Sequence, residues 1–152
     1  MKIRVLSFGK DKSGLFSPAI AEYAKRLSRH VSFEMLELSA SRLQGALAKS
    51  EEASRALKQL GARESLWVLD ERGQQHSSLE LAKQLEAQQM KGHSLCLVIG
   101  GDEGVDESLL KRASLVLSLS RMTLPHRMAR LVLVEQLYRG FCILKAEPYH
   151  KF

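Results

Sequence analysis

Five short apolar runs alternate with segments of helical periodicity along the chain, and this alternation constrains the fold more than any other feature. The runs cover residues 3–8, 33–38, 65–69, 95–99 and 115–119. Strands that are separated by helices pair in parallel, and a parallel sheet is covered by helices on both faces. We therefore predict an α/β fold, built as a single domain over residues 1–152.

The segments between the apolar runs carry signals for helix ends. Pro18 stands in the first turn of a helix predicted over residues 17–27, a position where proline is tolerated. A stripe of Leu and Ala predicts a second helix that is closed by Gly61, and Ser78 is the predicted cap of a third. A short fourth helix is predicted over residues 106–112.

A long final helix is predicted over residues 126–144, and it is apolar around most of its circumference. Its only clear polar stripe consists of Glu135 and Arg139, which lie one turn apart. A helix that is apolar on nearly all sides is buried on more than one side. In a chain this short we expect a second copy to cover the outer side of the helix, in a homodimer.

The net charge of +6 is concentrated near the C-terminus. Residues 121–152 hold six Lys or Arg against two Glu, and so account for four of the six net positive charges. A basic surface favours a polyanionic partner, most simply nucleic acid. On charge alone, a merely solubilising surface is an equal alternative.

Hydropathy and cysteine usage predict a cytoplasmic protein with no membrane contact and no metal. No run approaches the roughly 18 apolar residues of a membrane span, and the first residues lack the apolar core of a signal peptide. Cys96 and Cys142 lie in apolar runs without metal-ligand spacing, so we expect buried thiols. Surface positions are expected for His30, His76 and His93.

The glycines near the N-terminus do not form a known nucleotide motif. Gly9-Lys10-Asp11-Lys12-Ser13-Gly14 has the glycine spacing of a P-loop, but Leu15 and Phe16 stand where its Lys and Ser or Thr are needed. The dinucleotide fingerprint GxGxxG is also missing after the first predicted strand. Both departures disfavour a P-loop nucleotide hydrolase and an ordinary Rossmann oxidoreductase.

Three turns nearer the C-terminus are better candidates for a binding site. Gly100, Gly101 and Gly104 follow the fourth predicted strand, residues 120–125 follow the fifth, and Asp70 ends the third. Open parallel sheets bind ligands beyond the carboxyl ends of their strands, and glycine allows a ligand to approach the main chain closely. Each turn alone is ambiguous; together they suffice to surround an adenosine.

The chain resembles a known enzyme family in its C-terminal motifs and over its whole length. The motifs are Ile99-Gly100-Gly101-x-Glu103-Gly104, Ser118-Leu119-Ser120-x-Met122-Thr123-Leu124-Pro125-His126, Leu131-x-Leu133-x-Glu135-Gln136-Leu137-Tyr138-Arg139 and Pro148-Tyr149-His150. They resemble those of the methyltransferases that modify N3 of a pseudouridine in large-subunit (23S) ribosomal RNA, within the SPOUT or α/β-knot class. Gly140 and Ala146 depart from the family, which often has Ala and Gly there.

The resemblance implies a C-terminal trefoil knot, a homodimer, S-adenosylmethionine as the methyl donor and the assembled ribosome as the substrate. Carried over by position, the implied cofactor contacts are Leu69, Gly101, Ser120, Arg121, Met122, Thr123, Leu124 and Pro125.

For the reaction, the candidate catalytic residues are Arg139, Tyr149 and His150. Arg139 is expected to stabilise the anion of the target base. The C-terminal tail is expected to reach that base, either in its own chain or across the dimer. His150 is the candidate proton acceptor, because histidine titrates near neutral pH; the alternative is a contact to phosphate. For His126 we expect a structural hydrogen bond at the start of the final helix.

Two alternatives remain from the sequence. The first is a non-catalytic RNA- or ribosome-binding protein, which would have no need of intact glycine and Ser-x-x-Thr-Leu-Pro turns. The second is a SPOUT relative that acts on transfer RNA; without an appended RNA-binding domain, we expect recognition of a large preformed target instead.

Overall fold

The sheet is parallel throughout, as predicted, in a computed structural model that describes residues 1–152. Its strands are β1 (Lys2–Phe8), β2 (Ser32–Leu38), β3 (Glu64–Gln75), β4 (Ser94–Ile99) and β5 (Leu115–Ser118). Their order in the sheet is β2-β1-β4-β3-β5. This order places the carboxyl ends of β4, β3 and β5 side by side.

Helices cover both faces of the sheet, which confirms the predicted α/β architecture. They are α1 (Ser17–Leu27), α2 (Gly45–Gln59), α3 (Ser78–Lys91), α4 (Glu107–Arg112) and α5 (His126–Leu144). Alternate strand residues point to opposite faces. On one face Trp67 and Leu69 pack against α1, α3 and α5. On the other face Phe8 and Val68 pack against α2 and α4. No helix is both long enough and apolar enough to span a membrane.

Strand β3 differs most from the prediction, which ended it at Asp70. Leu69 and Gln74 both pair with Leu117 of β5, so the residues between them form a bulge, and β3 resumes and ends at Gln75. The bulge closes at Gly73, where a Cβ atom would lie 2.5 Å from the carbonyl oxygen of Val116. The polar composition of this part of β3 hides the strand from a hydropathy pattern.

Two predicted helix ends are wrong by a residue or more. The cap of α3 is Ser77 rather than Ser78: Ser77 Oγ accepts from the backbone N–H of Glu80 at 3.1 Å, and Glu80 accepts from that of Ser77 at 2.7 Å. This reciprocal pair is a capping box. Helix α2 ends at Gln59 with an extended residue after it, so Gly61 lies beyond the helix and does not close it.

The expected surface position of His30 is also wrong. Its side chain is only 6% exposed and packs against Tyr138 and Phe141 of α5. The contact links residues more than a hundred positions apart, which no local pattern signals. His93 is exposed, and both cysteines are buried free thiols, as predicted.

Candidate cofactor cleft and C-terminal cluster

A cleft of about 820 Å³ opens at the carboxyl ends of β3, β4 and β5. Its walls are the β3 bulge, the glycine turn after β4 and the segment between β5 and α5. The volume lies within the range of about 300–1,000 Å³ that is typical of small-molecule sites. We refer to this space as the cofactor cleft.

Seven of the eight predicted cofactor-binding residues line the cofactor cleft. They are Leu69, Gly101, Ser120, Met122, Thr123, Leu124 and Pro125. Arg121, the eighth, does not line it. The structure therefore brings together residues from positions 69 to 125, whose roles as ligand contacts stay predictions.

The glycine turn after β4 is fixed by its own backbone. The N–H of Gly104 donates to the carbonyl of Gly101 at 3.0 Å, and Gly104 has a φ of +89° that favours glycine. At Gly100, a Cβ atom would lie 2.7 Å from the carbonyl oxygen of Gly104. Gly101 differs, because its missing Cβ leaves space for buried Glu52 and not for a ligand.

The turn after β5 is held by side-chain hydrogen bonds. Ser118 Oγ donates to the carbonyl of Ser120 at 3.0 Å, and Ser120 Oγ accepts from the N–H of Met122 at 2.9 Å. Thr123 Oγ1 donates to a carboxylate oxygen of Glu71 at 2.6 Å, which ties this turn to the β3 bulge. Two walls of the cleft are thus bound to each other.

Charged groups of both signs line the cofactor cleft. Asp70 accepts two hydrogen bonds of 2.9 Å from the Arg72 side chain, and these bonds hold the pKa of Asp70 below its ordinary value. Lys49 reaches the same cleft from α2, and Asp102 lies in the glycine turn. Lys49 and Arg72 were not predicted from the sequence, since neither belongs to a recognisable motif.

His126 begins α5 and lies at the edge of the cleft. Its Nε2 is 2.8 Å from Asp102, and its Nδ1 is 3.2 Å from the guanidinium of Arg130. These contacts agree with the structural hydrogen-bonding role that we expected. Arg130 is itself only 1% exposed and was not singled out from the sequence.

The three predicted catalytic residues meet beside the C-terminal half of α5, near Glu135. Arg139 donates to Glu135 at 2.6 Å and 3.1 Å, and the Tyr149 hydroxyl donates to the same carboxylate at 2.8 Å. The Arg139 guanidinium lies 4.6 Å from the centre of the Tyr149 ring and 3.2 Å from His150 Nδ1. We call Glu135, Arg139, Tyr149 and His150 the C-terminal cluster.

The contacts of the C-terminal cluster set its proton states. Hydrogen bonding to Glu135 raises the pKa of Arg139, and burial together with bonds to Tyr23 and Glu135 raises that of Tyr149. Tyr149 is therefore a protonated donor at neutral pH. Because arginine has no acceptor, His150 Nδ1 accepts the bond from Arg139, which leaves the ring proton on Nε2.

The C-terminal cluster and the cofactor cleft are separate within one chain. Arg139 follows Ala129, the last residue of α5 that lines the cleft, by ten positions, which corresponds to about 15 Å along the axis of the continuous helix. None of the four cluster residues lines the cleft.

The whole chain matches one family model. The model is described as "Predicted SPOUT methyltransferase" and covers residues 1–150. The chain belongs to the SPOUT methyltransferase family. The fold class of that family is the one observed here, and membership implies the trefoil knot at the C-terminus.

Relatives of this SPOUT chain extend over its full length. It is 50% identical to Ribosomal RNA large subunit methyltransferase H of Anaeromyxobacter sp. (strain Fw109-5), with 99% of this chain and 100% of that one covered. The protein of the same name from Acetivibrio thermocellus is 43% identical, with the same coverage of each chain.

A similarity to a solved structure concerns the fold alone. A probable methylase family protein from Haemophilus influenzae Rd KW20 has a TM-score of 0.57 at 14% identity, with 99% of this chain and 70% of that chain covered.

Proposed function

We propose that this SPOUT chain transfers a methyl group from S-adenosylmethionine to N3 of a pseudouridine in 23S ribosomal RNA of the assembled ribosome. The target would be of the pseudouridine 1915 type. The observation that carries the proposal is the cofactor cleft at three adjacent strand ends, in a chain whose curated relatives are named for methylation of large-subunit ribosomal RNA. A ribosomal substrate would place the enzyme in the cytoplasm.

The residues of the cofactor cleft fit S-adenosylmethionine in size and in chemistry. Two turns present main-chain groups that suit a nucleoside, and apolar Leu69 and Leu124 suit its ring. The cofactor also carries positive sulfonium and ammonium groups and a carboxylate. Asp102 and Glu103 match the cations, and Lys49 matches the anion. When bound, S-adenosylmethionine supplies an electrophilic methyl group.

The protein's own task is to make N3 of the base nucleophilic. An imide N3–H is a poor nucleophile until it loses its proton, and the resulting anion then loses its charge as the methyl group is transferred. A positioned cation stabilises that anion before transfer. Arg139 is the cation available in the C-terminal cluster, and holding the base in line contributes part of the ~7–11 kcal/mol that orientation can supply.

Arg139 and His150 would act in sequence. In the structure His150 Nδ1 is engaged by Arg139, so its lone pair is not free to take a proton. When Arg139 turns to the base, Nδ1 is released and accepts the N3 proton. Glu135, which also accepts a hydrogen bond from protonated Tyr149, would anchor the Arg139 side chain while its guanidinium changes partner from His150 to the base.

A homodimer would complete the site. Arg139 lies about 15 Å along α5 from Ala129, the last residue of that helix to line the cleft of its own chain, and the continuous helix fixes this separation. Met128, Leu131 and Val132 on α5 are exposed or half-buried, although they are apolar. Pairing two chains about a two-fold axis through this surface would cover it and bring the partner's tail to each cleft.

The proposal is tested with large ribosomal subunits from cells that lack the gene. We expect the purified protein and S-adenosylmethionine to add one methyl group to a pseudouridine, as measured by mass spectrometry of the RNA. Transfer RNA assayed in parallel should remain unmodified. Cofactor binding without methylation of subunits would contradict the proposed substrate, and binding of subunits without cofactor binding would favour a non-catalytic ribosome-binding protein.

A further inference from the structure

A second cleft, of about 440 Å³, adjoins the cofactor cleft. Both are lined by Asp102 and His126, so the two spaces meet at these side chains. The walls of the second cleft come from the segment after β1, from the turn after β2 at Ser39, and from Arg127 in the first turn of α5. We call it the basic cleft.

The cations of the basic cleft exceed its available anions. Lys10, Lys12 and Arg127 line it, against Asp102 as the one acidic lining residue. Asp102 is bound to His126 at 2.8 Å. Lys10 and Lys12 are exposed and form no ion pair.

The acidic groups behind this wall are already engaged. Asp11 accepts from the hydroxyl of Ser13 at 2.6 Å and lies 3.5 Å from Arg127. Glu37 accepts from the backbone N–H of Asp11 at 2.9 Å. The unpaired charge of the basic cleft is therefore positive.

The segment that carries the two lysines is anchored to α5. Buried Arg130 donates to the carbonyls of Phe8 and Gly9 at 3.0 Å and 2.5 Å, and Gly9 has a φ of +93°. The N–H of Gly9 donates in turn to the carbonyl of Leu38 at 2.8 Å. These bonds fix the start of the segment, so the lysines stand on a preformed wall.

We infer that the basic cleft binds phosphodiester groups of the RNA next to the target nucleotide, with Lys10 and Lys12, its two unpaired cations, as contacts. The inference rests on the proposed function, because a base that enters the cofactor cleft keeps its neighbouring phosphates at the rim that the two clefts share. Residues 9–14 have the glycine spacing of a P-loop, but in a P-loop the backbone binds the phosphate. Here the lysine side chains of the segment would bind it.

The test is the double variant Lys10→Ala/Lys12→Ala, assayed for methylation of large subunits over a range of salt concentrations. We expect a roughly tenfold higher KM for subunits, a salt dependence of binding reduced by about 2 in slope, and unchanged cofactor affinity. The matched control is Lys58→Ala/Lys91→Ala, which removes two exposed lysines from the last turns of α2 and α3. An unchanged KM, or an equal change in the control, would overturn the inference.

A binding assay without methylation separates this inference from the proposed function. Fluorescence anisotropy with single-stranded oligouridylate at low salt should show weaker binding for Lys10→Ala/Lys12→Ala than for the control pair. If wild-type protein fails to methylate subunits but this difference is present, the proposed function is wrong and the basic cleft still binds RNA. Equal oligouridylate binding by both double variants would refute the basic cleft as an RNA site.

Discussion

The cofactor cleft and the C-terminal cluster are built from different parts of the polypeptide. The cleft is made of turns, whose shape depends on Gly100, Gly104 and short hydrogen bonds to Ser120 and Thr123. The cluster consists of side chains that bond to Glu135 in the middle of α5, directly or, for His150, through Arg139. Residues of one chain are enough to line the cleft, whereas the chemistry we propose needs two chains.

The largest effect should come from separating the two chains. Val132→Asp places a charge on the apolar outer side of α5, so we expect a monomer that binds cofactor but has lost roughly 100-fold or more of its activity. Light scattering measures the oligomeric state, and calorimetry measures cofactor binding. Met90→Asp, a change at an apolar residue that is 83% exposed on α3, is the control. A dimeric, active Val132→Asp protein would show that the interface lies elsewhere.

Removal of the cation from the C-terminal cluster should rank next. Arg139→Ala is expected to lower kcat by about 10²–10³, because the anion of the base loses its positive partner. Cofactor affinity should stay within about twofold of wild type, since Arg139 does not line the cleft. Arg139→Lys should recover part of kcat but not the paired bonds to Glu135. An unfolded Arg139→Ala protein would instead make the Glu135–Arg139 pair structural.

The reciprocal change affects the cleft alone. Gly100→Ala places a methyl group 2.7 Å from the carbonyl oxygen of Gly104, and relieving that contact should cost about 1–3 kcal/mol of turn distortion. We expect cofactor binding to weaken roughly tenfold, with the dimer intact. Gly61→Ala, where the nearest atom would be at 3.4 Å, is the matched control. Normal cofactor binding by Gly100→Ala would mean that the turn has no part in the site.

The smallest effect concerns the Asp70–Arg72 pair at the cleft wall. Arg72 lowers the pKa of Asp70 in the folded chain. The pair therefore stabilises the fold at pH values above 3.8, the ordinary pKa of the carboxyl group. This contribution disappears as the pH falls through the lower pKa of the folded chain. Asp70→Asn should cost below about 1 kcal/mol at pH 7, because Arg72 is 63% exposed. Urea unfolding should also show a flatter pH dependence below pH ~4, and a steeper one would contradict this assignment.

The elements that follow local patterns were predictable from the sequence, and those that depend on distant contacts were not. Strands and helices of the α/β fold follow local periodicity, and the turn residues at Gly100 and Ser120 stand directly after apolar runs, so their convergence at one sheet edge followed from parallel pairing. The bulge of β3 did not, because its residues are polar and depend on contact with β5. Ser77 and Ser78 offer the same capping group, and only backbone geometry chooses between them.

Distances between groups of residues also could not be predicted from the sequence. The motifs predict Arg139 and His150 as one group, and the two side chains do meet, but a motif does not say that Arg139 lies about 15 Å along α5 from the last cleft residue of that helix. Lys49 reaches the cleft from a different helix, and Arg130 reaches β1 across more than a hundred positions. Such contacts come from the order of strands in the sheet, which local patterns do not encode.

Each active site, as we propose it, combines the cleft of one chain with the C-terminal cluster of the other. The most direct measurement is the activity of mixed dimers formed by coexpression of Gly100→Ala with Arg139→Ala. The assay uses cofactor well below the wild-type Kd, where Gly100→Ala alone should keep about a tenth of wild-type activity and Arg139→Ala about a hundredth or less. If the site is shared, half of the dimers contain one intact site, and about a quarter of wild-type activity should return. If activity stays at the level of the separate variants, the cleft and the cluster act within one chain and the account is wrong.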